Sequence, residues 1–244
     1  MIIDTHCHLF IDNYDESIFE ELKNENIKVI INGYNLKTNK EALMLSEKYD
    51  FVYCSIGFHP NEQIIESNIK FLENNIQTKK VLAIGEIGLD YYRNKENKEI
   101  QKKYFIKQLE LAKKYNKLVI IHNREATQDL YEILSKYNLK GILHAFSGSL
   151  ESALNFIKLG YKLGIGGVIT FKNSKLRDVI KIIDLKDIVL ETDSPYLTPE
   201  PFRGEKNSPV YIKYILEEIS KIKQINVKTI EKEIYENTKK LFDL

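Results

Sequence analysis

Short apolar, β-branched runs alternate along this chain with longer segments of helical period. The runs fall at residues 1–4, 28–31, 51–56, 81–86, 118–122, 141–144, 161–164 and 188–191. Runs of that length and composition predict eight buried strands. Between them, residues 17–24, 38–48, 61–74, 98–115, 126–137, 150–159 and 174–183 read as amphipathic helices. A Pro-rich loop at 194–209 follows the eighth strand, and helices are predicted at 210–223 and 227–241. Within 101–115, Tyr104, Phe105, Leu109, Leu111 and Ala112 fall near one face, with Lys on the other. Strict alternation of strand and helix implies parallel strands joined by right-handed crossovers. Eight such units predict an α/β fold, a (β/α)8 TIM barrel, as a single domain over residues 1–244. An open doubly wound sheet is the second solution, because strand count alone does not close a sheet.

The polar residues at the ends of these runs change the picture from fold to chemistry. Side chains alternate across a strand, so His6 and His8 point to one side and Cys7 to the other. Two imidazoles one strand step apart can grip one cation. The chain has five histidines. The other three, His59, His122 and His144, also close apolar runs. In order, the strands deliver His6 and His8, then His59, Glu86, His122, His144 and Asp193. In a β/α barrel the working residues sit at the C-terminal ends of the strands. The second and seventh strands supply no ligand type and end in Asn32-Gly33 and in Gly164, Ile165, Gly166 and Gly167.

This set is too large for one catalytic zinc, which takes about three protein ligands and keeps an open position. It points to two divalent metal ions about 3.5–4 Å apart, bridged by a carboxylate and by a water or hydroxide. Such a hydroxide can attack phosphorus or a carbonyl carbon. Glu86 is the natural bridge, having two oxygens and coming from the middle of the chain. Asp193 is placed to bind the first metal and to take the proton of the water.

Composition adds bounds. At 43% hydrophobic residues the chain has material for a substantial core, and a net charge of +1 excludes binding nucleic acid through bulk positive charge alone. Cys7 and Cys54, the two cysteines, lie in strand-like runs and read as buried thiols of a reducing compartment, without a disulfide framework. The N-terminus lacks the basic and apolar regions of a signal peptide, and no apolar run approaches the roughly 20 residues that span a bilayer. A cytoplasmic protein with no membrane association, acting as a monomer, is the expectation.

Seven segments together resemble one family. They are DTHCHL (4–9), GFHP (57–60), GEIGLDYY (85–92), IHNREA (121–126), HAFSGS (144–149), GIGGVITF (164–171) and ETDSPYLTP (191–199), followed by RGEKNSP (203–209). They are similar, in order, to the motifs of the TatD family of metal-dependent deoxyribonucleases, a group within the amidohydrolase-type barrels. The resemblance implies a two-metal hydrolase that trims DNA from strand ends, as a 3′–5′ exonuclease. It implies a first metal held by His6, His8, Glu86 and Asp193, and a second held by Glu86, His122 and His144. His59 would touch the scissile phosphate or assist the leaving group. Asn123 stands where the family often has Cys or Ser, Ala145 where it often has Cys, and Glu205 where Lys is common.

Four histidines favour Zn, Mn, Fe or Co over Mg, although the family is often described as magnesium-dependent. Arg124 has two readings of equal weight, a phosphate contact or a pair with a buried carboxylate. Arg203 suits a bidentate phosphate contact or an internal salt bridge that holds its loop. Tyr91 and Tyr92 are packing residues or a stacking surface for a base. Gly85 and Gly88 mark either a site feature or a tight turn. Asp90 and Glu191 are candidates to orient ligand histidines. The same ligand set would also suit an amidohydrolase acting on a small cyclic amide or ester. Many such enzymes bridge their metals through a modified Lys on the fourth strand, whereas this strand carries Glu86 and no Lys.

Overall fold

The computed structural model describes residues 1–93 and 95–244. Its eight strands are β1 (Ile2–Cys7), β2 (Ile27–Asn32), β3 (Val52–Ile56), β4 (Val81–Asp90), β5 (Leu118–Arg124), β6 (Gly141–Leu143), β7 (Tyr161–Ile165) and β8 (Ile188–Leu190). They form one sheet in chain order. The strand pairs are parallel, and a further parallel bridge joins Cys7 to Ser194, so the first and last strands also meet. This is the TIM barrel expected from the alternating pattern. Strands of such a sheet are covered on both faces, which is why they are continuously apolar rather than alternating. Every residue of β4 except Leu82 is buried.

The helices among the described residues are α1 (Ser17–Asn24), α2 (Leu36–Lys48), α3 (Glu66–Asn75), α4 (Lys98–Lys114), α5 (Thr127–Leu134), α6 (Leu150–Lys158), α7 (Leu176–Ile182), α8 (Ile212–Lys223) and α9 (Val227–Phe242). Most lie within two residues of their predicted bounds. Two differ by more: α5 ends at Leu134, three residues short, and α3 starts five residues late, because a turn follows His59 in which the Glu62 amide donates to the His59 carbonyl at 2.9 Å. The helix then starts where the Asn68 side chain accepts the Ile65 amide at 2.9 Å, a local N-terminal cap. β4 runs four residues beyond its prediction, to Asp90, with Gly88 opposite His122 and Asp90 opposite Arg124.

Two compact units are distinguished. The first comprises 1–31, 144–158 and 162–244. In it, α9 packs on β1 and β8, and α8 packs on the short 3-10 helix Gly167–Thr170. The second comprises 32–143 and 159–161. In it, β4 is flanked by β3 and β5, with α2 against β3 and α4 against β4. Among the described residues no helix is long and apolar enough to cross a membrane. Cys7 and Cys54 are both buried and free, as expected.

Candidate metal centre

The first unit holds His6, His8, His144 and Asp193. His6 is the penultimate residue of β1, and His8 lies just beyond the strand. Their Nε2 atoms stand 3.2 Å apart, while Cys7 between them turns away toward the Ile30 carbonyl. Asp193 sits three residues past β8 with φ +54. Its amide donates to the His6 carbonyl at 2.8 Å, and the His8 amide donates to the Ser194 carbonyl at 2.8 Å. This backbone stitching brings Asp193 Oδ1 to 3.6 Å from His6 Nε2 and 3.4 Å from His8 Nε2. The ring of His144 stacks on that of His6 at 3.9 Å.

Three donor atoms at these separations suit a cation between them. Two ligands about 2.1 Å from a tetrahedral ion lie about 3.4 Å apart. The electrostatics agree. Burial pushes the Asp193 carboxyl up, but the His8 hydrogen bond and the charges of His144, His6 and His8 outweigh it and hold the group below its ordinary range. Asp193 is therefore ionised at neutral pH, as a ligand must be.

Asp4 anchors this arrangement, and the sequence pattern did not single it out. Its side chain is fully buried and accepts the His6 amide at 3.1 Å, the Thr192 amide at 3.0 Å and the Thr192 hydroxyl at 2.5 Å. It thereby ties β1 to the segment that carries Asp193. Burial pushes its carboxyl up to about 8. Asn207 does the same for the following loop. It is fully buried, and its Nδ2 donates to the carbonyls of Thr192 at 2.8 Å and Tyr196 at 2.5 Å.

Glu191 stands behind His144. Its Oε1 accepts the Ala145 amide at 2.5 Å and lies 3.7 Å from His144 Nδ1. Its Oε2 is buried without a hydrogen-bond partner among the described residues. The ligand-free end of β7 is explained by this carboxylate: a Cβ on Gly164 would lie 2.0 Å from Glu191 Oε2. The glycine leaves room for the group that orients the neighbouring histidine.

The second unit holds His59, Glu86, Asp90 and His122. The loop before His59 is pinned by buried amides. Asn39 bonds both the Gly57 carbonyl and amide, at 2.7 and 3.0 Å, and Gln108 does so for Phe58, at 3.1 and 2.8 Å. His59 Nδ1 accepts the Asn61 amide at 3.1 Å, so its proton resides on Nε2, which lies 3.6 Å from Glu86 Oε1. Glu86 is held by its own amide, which donates to the Gly33 carbonyl at 2.9 Å. His122 Nδ1 lies 2.9 Å from Glu86 Oε1, and its Nε2 lies 3.3 Å from Asp90 Oδ2.

His59, Asp90 and His122 each offer a ligand atom within 4.8 Å of one another. Asp90 nevertheless fits an orienting role better than a ligating one. Its carboxylate already accepts from Asn61 Nδ2 at 2.9 Å and from the amides of Tyr92 and Arg93 at 3.1 and 3.0 Å. Burial raises its pKa, but the bonds from His122, Arg93 and Asn61 outweigh that and hold it well below the ordinary range. A carboxylate on one ring nitrogen fixes the imidazole and leaves the other nitrogen for a metal.

The remaining candidates fall into place individually. Tyr91 is buried, with its hydroxyl donating to Asp129 at 2.6 Å, so it is a packing residue. Tyr92 is exposed, and the Arg124 guanidinium lies 3.9 Å from its ring centre. Among the described residues Arg124 has no carboxylate partner, so the buried-pair reading is not borne out. Arg203 lies 3.9 Å from the centre of the Phe171 ring, and one guanidinium N–H donates to the Thr198 carbonyl at 3.1 Å. Of its two readings, the internal salt bridge has no counterpart among the described residues, where Arg203 makes these two contacts instead. Gly85 and Gly88 are not turn residues. A Cβ on Gly88 would lie 2.0 Å from the His122 carbonyl oxygen, and one on Gly85 would lie 2.6 Å from Ile120 Cβ. Both allow β4 to approach β5 closely. Asn123 bonds the Thr127 hydroxyl at 3.0 Å, and Ala145 carries the amide that Glu191 accepts.

Comparison with known proteins agrees with this picture. Residues 3–243 match the family model described as TatD related DNase. The uncharacterized metal-dependent hydrolase YabD of Bacillus subtilis is 40% identical over 252 residues, covering 99% of each chain. The solved structure of YjjV, a TatD homologue from Escherichia coli, superposes with a TM-score of 0.92 at 32% identity, covering 100% of this chain and 98% of that one. A TatD family hydrolase of Entamoeba histolytica superposes with a TM-score of 0.86 at 25% identity, covering 99% and 97%. The chain belongs to the TatD family of metal-dependent hydrolases.

Proposed function

We propose that this chain is a metal-dependent deoxyribonuclease that hydrolyses DNA phosphodiester bonds at strand ends, as a 3′–5′ exonuclease. It would act as a cytoplasmic monomer whose residues 1–244 form one hydrolase domain. The observation that carries the reading is the pair of imidazole and carboxylate clusters at strand ends, in a chain of this family. His6, His8, Glu86 and Asp193 would hold one divalent ion, and Glu86, His122 and His144 a second. The donor set suits Zn, Mn, Fe or Co, with Mg as the oxygen-preferring alternative for the weaker position. Bound there, the ions supply Lewis acidity toward a phosphoryl oxygen and acidify a water.

The chain's own residues then do the following. Asp193, ionised by its histidine neighbours, accepts the proton of the attacking water at a carboxylate oxygen. His59, carrying its proton on Nε2, donates it to the phosphate or the departing oxygen. Asp90 and Glu191 keep His122 and His144 in orientation. Arg124, exposed and 3.9 Å from the centre of the Tyr92 ring, would offer its N–H groups to a phosphate, and the exposed Arg203 a second contact.

The test presents the metal-loaded protein with single-stranded DNA, an RNA oligomer, a simple phosphodiester and dihydropyrimidine-type amides. Mononucleotide release from the 3′ end of DNA is expected. Asp193→Asn and Glu86→Gln should each reduce it by about 10²–10³-fold or more. Turnover of the amides with none of the phosphodiesters would overturn the reading in favour of an amidohydrolase. Full activity in both variants would do so as well.

A further inference from the structure

Tyr196 is 56% exposed although it lies three residues beyond Asp193. Its ring stands edge-on to the His8 imidazole at 6.1 Å. Its backbone is fixed from both sides: its amide donates to the Asp193 carbonyl at 2.8 Å, and its carbonyl accepts from the buried Asn207 at 2.5 Å. A large aromatic on an anchored stretch of backbone thus stands beside two metal-ligand candidates, with more than half its surface open. Packing does not account for it, since the buried residues of this loop are Ser194, Thr198, Pro199, Asn207 and Pro209. A cation lies on the same loop. Lys206 is exposed, and its ammonium sits 3.9 Å from the centre of the Tyr14 ring. The Tyr14 hydroxyl donates to the Asn207 carbonyl at 2.5 Å. Asn207 therefore anchors both the open aromatic and the support of the cation.

We infer that Tyr196 is a stacking platform for the terminal nucleobase of a single-stranded or frayed DNA end, with Lys206 facing the strand's phosphates. An open π-face beside a hydrolytic centre binds any base, and it binds an unpaired one, because a paired base has its faces covered by its neighbours. The platform would select strand ends over duplex interior. This inference rests on the phosphodiesterase reading above and names the substrate form that site would take.

The experiment compares metal-loaded wild type with Tyr196→Ala and Tyr196→Phe on two single-stranded oligomers, one ending in a normal nucleotide and one in an abasic nucleotide. Wild type and Tyr196→Phe should show a KM about 10-fold lower for the base-bearing end, since stacking on an aromatic is worth about 1–3 kcal/mol per base. In Tyr196→Ala that gap should close. A general folding defect lowers turnover of both oligomers and leaves the gap, which overturns the inference, as does a wild type that treats both ends alike. Binding gives a second readout, free of turnover and of any variant. A terminal 2-aminopurine should be quenched on binding wild type, and the same base placed mid-strand should be quenched less. Equal quenching at both positions contradicts the platform. If neither oligomer is cleaved or bound, the nucleic-acid reading falls and the inference with it. If both are cleaved alike, the nuclease reading stands and only the inference falls.

Discussion

Three buried aspartates near the candidate ligands differ in state because their neighbours differ. Asp193 faces imidazoles and is held ionised, Asp90 is saturated by amide donors and His122, and Asp4 is so deeply buried that its carboxyl is pushed up to about 8. Charge and hydrogen bonding oppose desolvation, and the number of donors decides which prevails. A cleaner case for measurement lies away from the ligands. Burial pushes the Cys54 thiol up from 9.0 to about 11, with partial relief from the Ser46 hydroxyl at 3.5 Å. Between those values the unfolded chain loses the proton while the folded chain keeps it. Stability from this group is therefore complete below pH 9 and lost as pH rises through the folded value. Urea titrations from pH 8 to 11 should show wild type losing stability more steeply than Cys54→Ala; parallel slopes would contradict this. The native protein should also resist a thiol reagent at pH 8, with both cysteines reacting once it is unfolded.

At the scale of elements, glycines decide where the orienting groups go. Gly88 has φ +149, and its missing Cβ lets β4 continue along β5 as far as Asp90, the residue that meets His122. Gly88→Ala would press a methyl group into backbone, so it should cost about 3 kcal/mol or more, a Tm drop of roughly 6–12 °C. A drop under about 2 °C in thermal unfolding would show that the strands tolerate separation. In the first unit, Gly164 makes room for Glu191 behind His144. Removing that carboxylate, as in Glu191→Ala, should weaken metal binding about 10–100-fold, read by competition with a chelator. Glu191→Gln keeps an acceptor for the Ala145 amide and should retain more affinity than Glu191→Ala. Equal affinities in wild type and Glu191→Ala would remove the orienting role.

For the molecule as a whole, the pattern of apolar runs locates the eight strands, because a parallel sheet covered on both faces writes itself as uninterrupted Val, Ile and Leu, whereas the choice of a barrel over an open sheet is decided by the meeting of the first and last strands. The candidate ligands were legible for a related reason: each closes such a run, and the ends of parallel strands point the same way. The supports were less so. Asp4, Asn39, Gln108 and Asn207 act on backbone groups distant in sequence, and a single chain gives no pattern for such bonds. The start of α3 was missed because the turn after His59 uses residues that also suit a helix. For Arg124 and Arg203 the sequence leaves a phosphate contact and a carboxylate pair both open; each guanidinium lies on an aromatic ring, where it gains contact without neutralising its charge.

On the proposed reading, six side chains hold two divalent ions, and Glu86 serves both. Diffraction from crystals of the Mn-loaded protein, recorded at the metal's absorption edge, decides whether they do. Two anomalous peaks about 3.5–4 Å apart are expected, one on His6, His8 and Asp193, the other on His122 and His144, with a Glu86 oxygen on each. A single peak, or peaks that leave Glu86 or either histidine pair untouched, would contradict it.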